Sequence, residues 1–203
     1  ERYAMARGII IFGPAGSGKT TLGRMTAESL QYPYFDLDDY IWRKDTAIPY
    51  TQMYSREEKI GRLMADISRG SHFVMAGSMS SFHAPFDPLF DLAVYLTAST
   101  ETRLARLHQR ELSAFGSRIL PGGGMYEEHQ QFLDGASRYE TDGSPSRSGH
   151  EQWAAVLPCR LLRLSGEDAP EKNAEIILAE YARCISAIAK MGKEEADPSE
   201  KPE

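Results

Sequence analysis

The chain has 203 residues, 41% of them hydrophobic and 26% charged, with 17 Gly and 11 Pro, which excludes disordered, fibrous and disulfide-dense classes and fits one domain with a full core. Its 23 Lys and Arg stand against 29 Asp and Glu, a formal net charge of -6, so no general electrostatic hold on nucleic acid or on an anionic membrane is expected. No apolar run approaches the ~20 residues of a membrane span and the first residues carry no signal-peptide pattern, so a soluble, cytoplasmic protein is expected.

An apolar run from Gly8 to Phe12 reads as a strand. The helical pattern after it opens at Gly18 or Lys19 and continues to about Leu30, with Leu22, Met25 and Leu30 on one stripe. Tyr32 to Asp36 reads as a second strand. Ser55 and Glu58 match a capping box at the start of a helix that stops at Gly70. His72 to Ala76 and Leu92 to Ala98 read as the third and fourth strands. From Thr100 to Phe115 the period is helical, placing Leu104, Leu107 and Leu112 toward the core and Arg103, Arg106 and Arg110 nearer the polar face. Arg103 and Arg106 are expected at the surface.

Between Gly116 and Pro158 the rhythm breaks into a Gly-rich turn at Pro121 to Gly124, a helical stretch around Glu127 to Tyr139 and a polar run from Thr141 to Gly149. A connection of that length in a compact domain is expected to be a lid. A fifth strand at Cys159 to Leu164 precedes a last helix, from near Asp168 to Gly192, that carries Ile176, Ile177, Tyr181 and Ile188 toward the sheet. Residues 193–203 have the charged composition of a disordered tail. Strands alternating with helices imply an α/β fold, a three-layer α/β/α domain over residues 1–192 with a central five-stranded parallel sheet and an insertion at about 116–158. Cys159 and Cys184 lie in apolar runs and read as buried thiols. The five histidines, His72, His83, His108, His129 and His150, show no metal-ligand spacing.

Gly13-Pro14-Ala15-Gly16-Ser17-Gly18-Lys19-Thr20 fits the spacing G-x-x-x-x-G-K-[ST] between an apolar strand and an amphipathic helix. Such a loop turns successive backbone N–H groups inward, and the following helix adds its positive N-terminal end, which together make a di- or triphosphate site. Gly13, Ala15, Gly16, Ser17, Gly18, Lys19, Thr20 and Thr21 are the expected nucleotide-binding residues. Lys19 supplies a mobile cation for the outer phosphates, and the Thr20 hydroxyl is placed for Mg²⁺. A GTPase would show a D-x-x-G switch and an N-K-x-D base reader, and neither occurs. An oligomeric remodelling ATPase normally ends a strand in an Asp-Glu pair, whereas here the strand His72 to Ala76 runs into Gly77-Ser78-Met79.

Asp36-Leu37-Asp38-Asp39 falls at the end of the second strand, the edge where parallel sheets bind ligands. With the P-loop from Gly13 to Thr20 and an Arg-bearing helix followed by an insertion, it makes the chain resemble the small-molecule and nucleoside-monophosphate kinase branch of P-loop proteins, such as shikimate, gluconate and adenylate kinases. The overlap in element order runs from about Ala6 to Lys190. The resemblance implies binding of ATP and Mg²⁺ and transfer of the γ-phosphoryl to a small-molecule or nucleotide acceptor. It gives Asp36 a water-mediated hold on Mg²⁺ and Asp38 the acceptor hydroxyl. Asp39, Gly77 and Ser78 are the further residues expected to bind the acceptor, Ser78 through its hydroxyl or its backbone N–H. The resemblance also implies that Arg110 or Arg118 closes onto the phosphates, and that the loop Ser165 to Ala169 holds adenine.

Two family runs are replaced. The triple glycine of shikimate kinases becomes Ala76-Gly77-Ser78-Met79-Ser80, and the adenylate-kinase run in that region becomes Phe82-His83-Ala84-Pro85-Phe86. Neither substrate is therefore specified, and a segment with Trp42, Arg43, Lys44 and Tyr50 is expected near the acceptor. The catalytic candidates are thus Lys19, Asp38, Arg110 and Arg118, in a monomer or dimer. The second reading is an ATP-binding regulatory module with little or no transfer.

Overall fold

The computed structural model describes residues 5–48, 50–79 and 81–194. Five strands, β1 (Arg7–Phe12), β2 (Tyr34–Asp36), β3 (His72–Ala76), β4 (Phe90–Thr97) and β5 (Arg160–Ser165), form one all-parallel sheet in the order β2-β3-β1-β4-β5. Helices α1 (Lys19–Leu30), α2 (Asp38–Ile41), α3 (Arg56–Ile67), α4 (Thr100–Phe115), α5 (Tyr126–Ser137) and α6 (Arg147–Val156) lie in three of the four crossovers that parallel pairing requires, β3 passes to β4 through the short turn Asp87–Leu89, and α7 (Pro170–Glu194) follows β5. Central β1 is buried on both faces after its first residue, as an unbroken Ile-Ile-Ile-Phe run demands. Ile9 and Ile11 pack toward Leu22 of α1 and Ile177 and Tyr181 of α7. Ile10 and Phe12 pack on the opposite face with Leu63, Met75 and Trp153. These are the three layers expected.

Several boundaries move for local reasons. β2 begins at Tyr34 because Pro33 has no N–H to give the ladder; its carbonyl accepts from Val74 N at 3.0 Å, while Tyr32 N turns back to Ala27 O at 2.9 Å. The capping box of α3 forms as read, with Glu58 N donating to Ser55 Oγ at 3.1 Å and Ser55 N donating to Glu58 Oε2 at 2.7 Å. In α7, Ile177 and Tyr181 are buried, but Ile176 and Ile188 are 37% and 45% exposed, against the expectation that all four face the sheet. Adjacent helical residues lie ~100° apart, so Ile176 and Ile177 cannot share a face. A helix of 25 residues also outruns strands of six, which leaves Ile188 beyond the sheet.

Residues 116–158 are not uniform. α5 stands beside α4, but from Tyr139 onward the segment enters the core: Tyr139, His150 and Trp153 are buried, and Trp153 Nε1 donates to Asp87 Oδ1 at 2.9 Å. α6 starts inside the run that reads as polar, where Ser146 Oγ accepts from Gly149 N at 3.1 Å. Cys159 and Cys184 are free, half-buried thiols, and burial pushes that of Cys159 up to about 11. Among the described residues no helix is long and apolar enough to cross a membrane. The expected tail lies, from residue 195 onward, outside the described residues.

Candidate active site

β1 delivers the loop from Gly13 to Thr20 to the C-terminal edge of the sheet, and α1 opens directly behind it at Lys19. Two glycines there are obligatory. Gly16 has φ +80° and a Cβ on it would lie 2.6 Å from Arg103 O; Gly13 has φ +149° and its Cβ would lie 2.0 Å from Leu96 O. The loop's carbonyls are engaged by side chains: Lys19 Nζ donates to Pro14 O at 2.7 Å, and from α4 Arg103 Nη1 donates to Ala15 O at 3.2 Å and Arg106 Nη1 to Gly16 O at 3.4 Å. Among the described residues no acceptor takes up the amides of Gly16, Gly18, Lys19 and Thr20. Ser17 Oγ is likewise buried with no partner. The result is an anion cradle with its donors free, at the positive end of a helix.

Asp36 and Asp38 reach the same place from β2 and α2. Asp38 N donates to Asp36 Oδ1 at 3.1 Å, while Thr20 Oγ1 and the Tyr34 hydroxyl stand 3.5 and 3.4 Å from Asp36 Oδ2. These weak contacts bring the loop's hydroxyl and the first carboxylate together. Burial lowers the Lys19 pKa to about 8; Asp38 and Asp36 oppose that shift, and Arg110 and Arg103 add to it. The Asp38 carboxyl is raised, first by the crowding of protein around it and then by Asp36, with Lys19 and Arg110 pulling it back. Lys19, Asp36, Asp38 and Arg110 therefore share one electrostatic site. Asp39 turns aside to pair with Lys44 at 2.8 Å on the surface.

The arginines divide differently from the sequence expectation. Arg103, expected at the surface, is fully buried and donates to Ala98 O, Ala15 O, Ala136 O and Thr100 Oγ1 at 3.2–3.3 Å, with its guanidinium 5.2 Å from the Tyr139 ring. Its helical position is on the side of α4 that the phosphate loop and α5 close over, which a single-helix pattern does not reveal. Arg106 is exposed but not idle: it joins Gly16 O to Gly166 O, the latter at 3.0 Å. It lines a cleft of about 230 Å³ with Ser17, Thr21, Gly166, Asp168 and Asn173, beside the loop expected to hold adenine. Arg118 sits exposed in the turn Gly116–Ile119 and is not among the charges that act most on Lys19 or Asp38.

On the acceptor edge, Gly77 is buried and its N donates to Ile11 O at 3.0 Å, which fastens the end of β3 beside the phosphate loop. Ser78 Oγ lies 2.8 Å from Nε2 of His150, a buried residue to which the sequence reading gave no role. His83 is held by Asp87 at 2.7 Å against Trp153, so it braces a loop. Trp42 and Tyr50 meet edge-to-face at 6.0 Å, and the Tyr50 phenol is raised first by burial and then by the Asp38 charge, with Arg110 opposing. Among the described residues no group of three or more His, Cys, Asp or Glu could hold a metal.

A family model described as an AAA domain matches residues 9–115, from β1 through α4. An uncharacterised protein of Bacillus subtilis (strain 168), YqaC, is 30% identical over 176 residues, spanning 86% of this chain and 97% of that one. A shikimate kinase of Gloeobacter violaceus is 27% identical over 82% of this chain and 100% of its own length. The crystal structure of a gluconokinase from Sinorhizobium meliloti 1021 superposes with a TM-score of 0.52 at 15% identity, over 92% of this chain and 98% of that chain, a likeness of fold. With a phosphate-binding loop of this geometry, the chain belongs to the AAA domain family and within it to a kinase-like group of P-loop proteins related to shikimate kinases.

Proposed function

We propose that the protein is an ATP-dependent phosphotransferase that moves the γ-phosphoryl to a small hydroxyl- or phosphate-bearing acceptor. The reading rests on one observation, the conjunction of unengaged P-loop amides and the half-buried Lys19 with the carboxylates of Asp36 and Asp38 and with Arg110. The cradle accepts the phosphates, and the cleft under Arg106 and Gly166 accepts the base. Bound Mg²⁺ would neutralise charge on the β and γ oxygens, and it fits here because Thr20 and Asp36 offer only two protein oxygens to an ion that keeps its waters. Asp38 orients the acceptor hydroxyl and takes its proton, a task its raised pKa suits. Arg110 faces the same charges, and closure of residues 116–138 would add Arg118. Gly77 and Ser78 form the far wall. The shikimate kinase relative favours a small hydroxylated ring as acceptor.

A coupled assay over shikimate, gluconate and nucleoside monophosphates tests this with three variants. Lys19→Ala should abolish nucleotide affinity and turnover together. Asp38→Asn should lower kcat by about 10²- to 10⁴-fold while nucleotide binding holds, and Arg118→Ala should lower kcat with a smaller effect on binding. Turnover unmoved by all three changes contradicts the reading. Binding that depends on Lys19, with no transfer to any acceptor and no effect of Asp38→Asn, would establish a regulatory nucleotide switch instead.

A further inference from the structure

Ser78 heads a hydrogen-bonded file that runs into the core. Its Oγ lies 2.8 Å from His150 Nε2, His150 Nδ1 lies 2.9 Å from the Tyr139 hydroxyl, and that hydroxyl lies 2.5 Å from the Tyr95 hydroxyl. His150, Tyr139 and Tyr95 are each at most 2% exposed, whereas Ser78 is half-buried at the cleft. Burial, and then the Lys19 charge, lower the His150 pKa to about 4, so the imidazole is neutral at pH 7 and carries one N–H. A Ser-His pair of this spacing could suggest a nucleophile with its base. A base this weak, with a tyrosine rather than a carboxylate behind it, does not activate a hydroxyl at neutral pH.

The file holds four donors, three hydroxyls and one N–H, for three contacts, so one proton must point out of an end. Among the described residues the Tyr95 hydroxyl has no partner but Tyr139, and a spare proton there would be buried and unmatched. Leaving a buried donor unmatched is disfavoured on the order of five- to a hundredfold. The protons therefore run one way, from Tyr95 to Tyr139, from Tyr139 to Nδ1, from Nε2–H to Ser78, and from Ser78 outward.

Position decides what that outward proton meets. Gly77, directly before Ser78, is bonded to β1 two residues ahead of Gly13, and the His150 ring packs edge-on to Phe12 at 5.5 Å. Ser78 thus follows directly on the β3 end that lies beside β1, the strand that delivers the phosphate loop. We infer that Ser78 is a dedicated hydrogen-bond donor to a terminal phosphoryl oxygen of the bound nucleoside triphosphate, with His150, Tyr139 and Tyr95 as positioning residues that hold its proton outward. The inference rests on the P-loop being a nucleotide site. A fixed donor at the moving group meets charge that grows during transfer, at no cost of reorienting a hydroxyl.

The test is titration calorimetry of the full chain with MgAMPPNP, whose bridging nitrogen blocks transfer, and with MgADP, which lacks the terminal group. Ser78→Ala should weaken MgAMPPNP about tenfold and leave MgADP within about twofold; Ser78→Thr should restore the difference. Tyr139→Phe, which keeps the Ser78 hydroxyl but releases the imidazole, should cost MgAMPPNP about threefold and MgADP nothing. Imidazole nitrogen spectra of the wild type at pH 7 should show His150 protonated at Nε2. Equal loss for both nucleotides, no loss for either, or protonation at Nδ1 overturns the inference. Binding of neither nucleotide by the wild type overturns the nucleotide site on which it rests.

Discussion

Lys19 is half-buried and carries a pKa of about 8, so its charge is nearly complete at pH 7 and mostly gone at pH 9. A bound polyphosphate favours the charged form and raises that pKa again, so binding above pH 8 must draw a proton from solution. With 8 as the free value, uptake is about 0.1 proton per site at pH 7 and about 0.75 at pH 8.5, and affinity falls about tenfold between pH 7 and pH 9. Calorimetry of MgATP in buffers of different ionisation enthalpy measures both quantities. Lys19→Arg keeps its charge throughout and should show neither uptake nor slope. The folded-state pKa lies below the 10.5 of an ordinary lysine, so the unfolded chain binds the extra proton and Lys19 costs stability at every pH below about 8, with the cost fading as pH rises to 10.5. Lys19→Met should accordingly raise unfolding free energy by on the order of 1–2 kcal/mol at pH 7, allowing for solvent screening, with the gain gone near pH 10.5. Affinity independent of pH in the wild type, with no proton uptake at pH 8.5, refutes the placement of Lys19 in the phosphate site.

Two further outcomes separate the arginines of α4. Arg103→Met removes the guanidinium that donates to the carbonyls of Ala15, Ala98 and Ala136 and should cost about 2–4 kcal/mol in chemical denaturation, with nucleotide affinity falling as the phosphate loop loosens. Arg106→Ala removes exposed contacts and should change stability by less than about 1 kcal/mol, yet weaken MgADP about three- to tenfold in calorimetry by uncovering the cleft beside Gly166.

The parts of the molecule legible in the sequence are those set by near neighbours. The P-loop announces itself because a strand, glycines that the backbone needs and a helix start all fall within thirteen residues, from Gly8 to Thr20. The Ser55 and Glu58 capping box is equally local, and the run of Ile9 to Phe12 can only be a strand buried on both faces. What escaped depends on distant chain. Arg103 reads as a surface charge on its helix, but its acceptors lie 88 residues earlier at Ala15 and 33 residues later at Ala136. His150 follows a polar run and becomes part of the core only because Tyr139 and Ser78, 11 and 72 residues away, converge on it. Arg106 gave no local sign either, since the cleft it closes exists only once Gly166 lies against the phosphate loop.

The decisive measurement is a mass balance of turnover: the wild type and Lys19→Ala are incubated with MgATP and each of shikimate, gluconate and the nucleoside monophosphates, and every product is weighed. Phosphoryl transfer predicts one acceptor that gains a phosphoryl group mole for mole with ADP formed, at a rate at least about a hundredfold higher in the wild type than in Lys19→Ala. ADP accompanied only by inorganic phosphate, or formed equally well by Lys19→Ala, would contradict it.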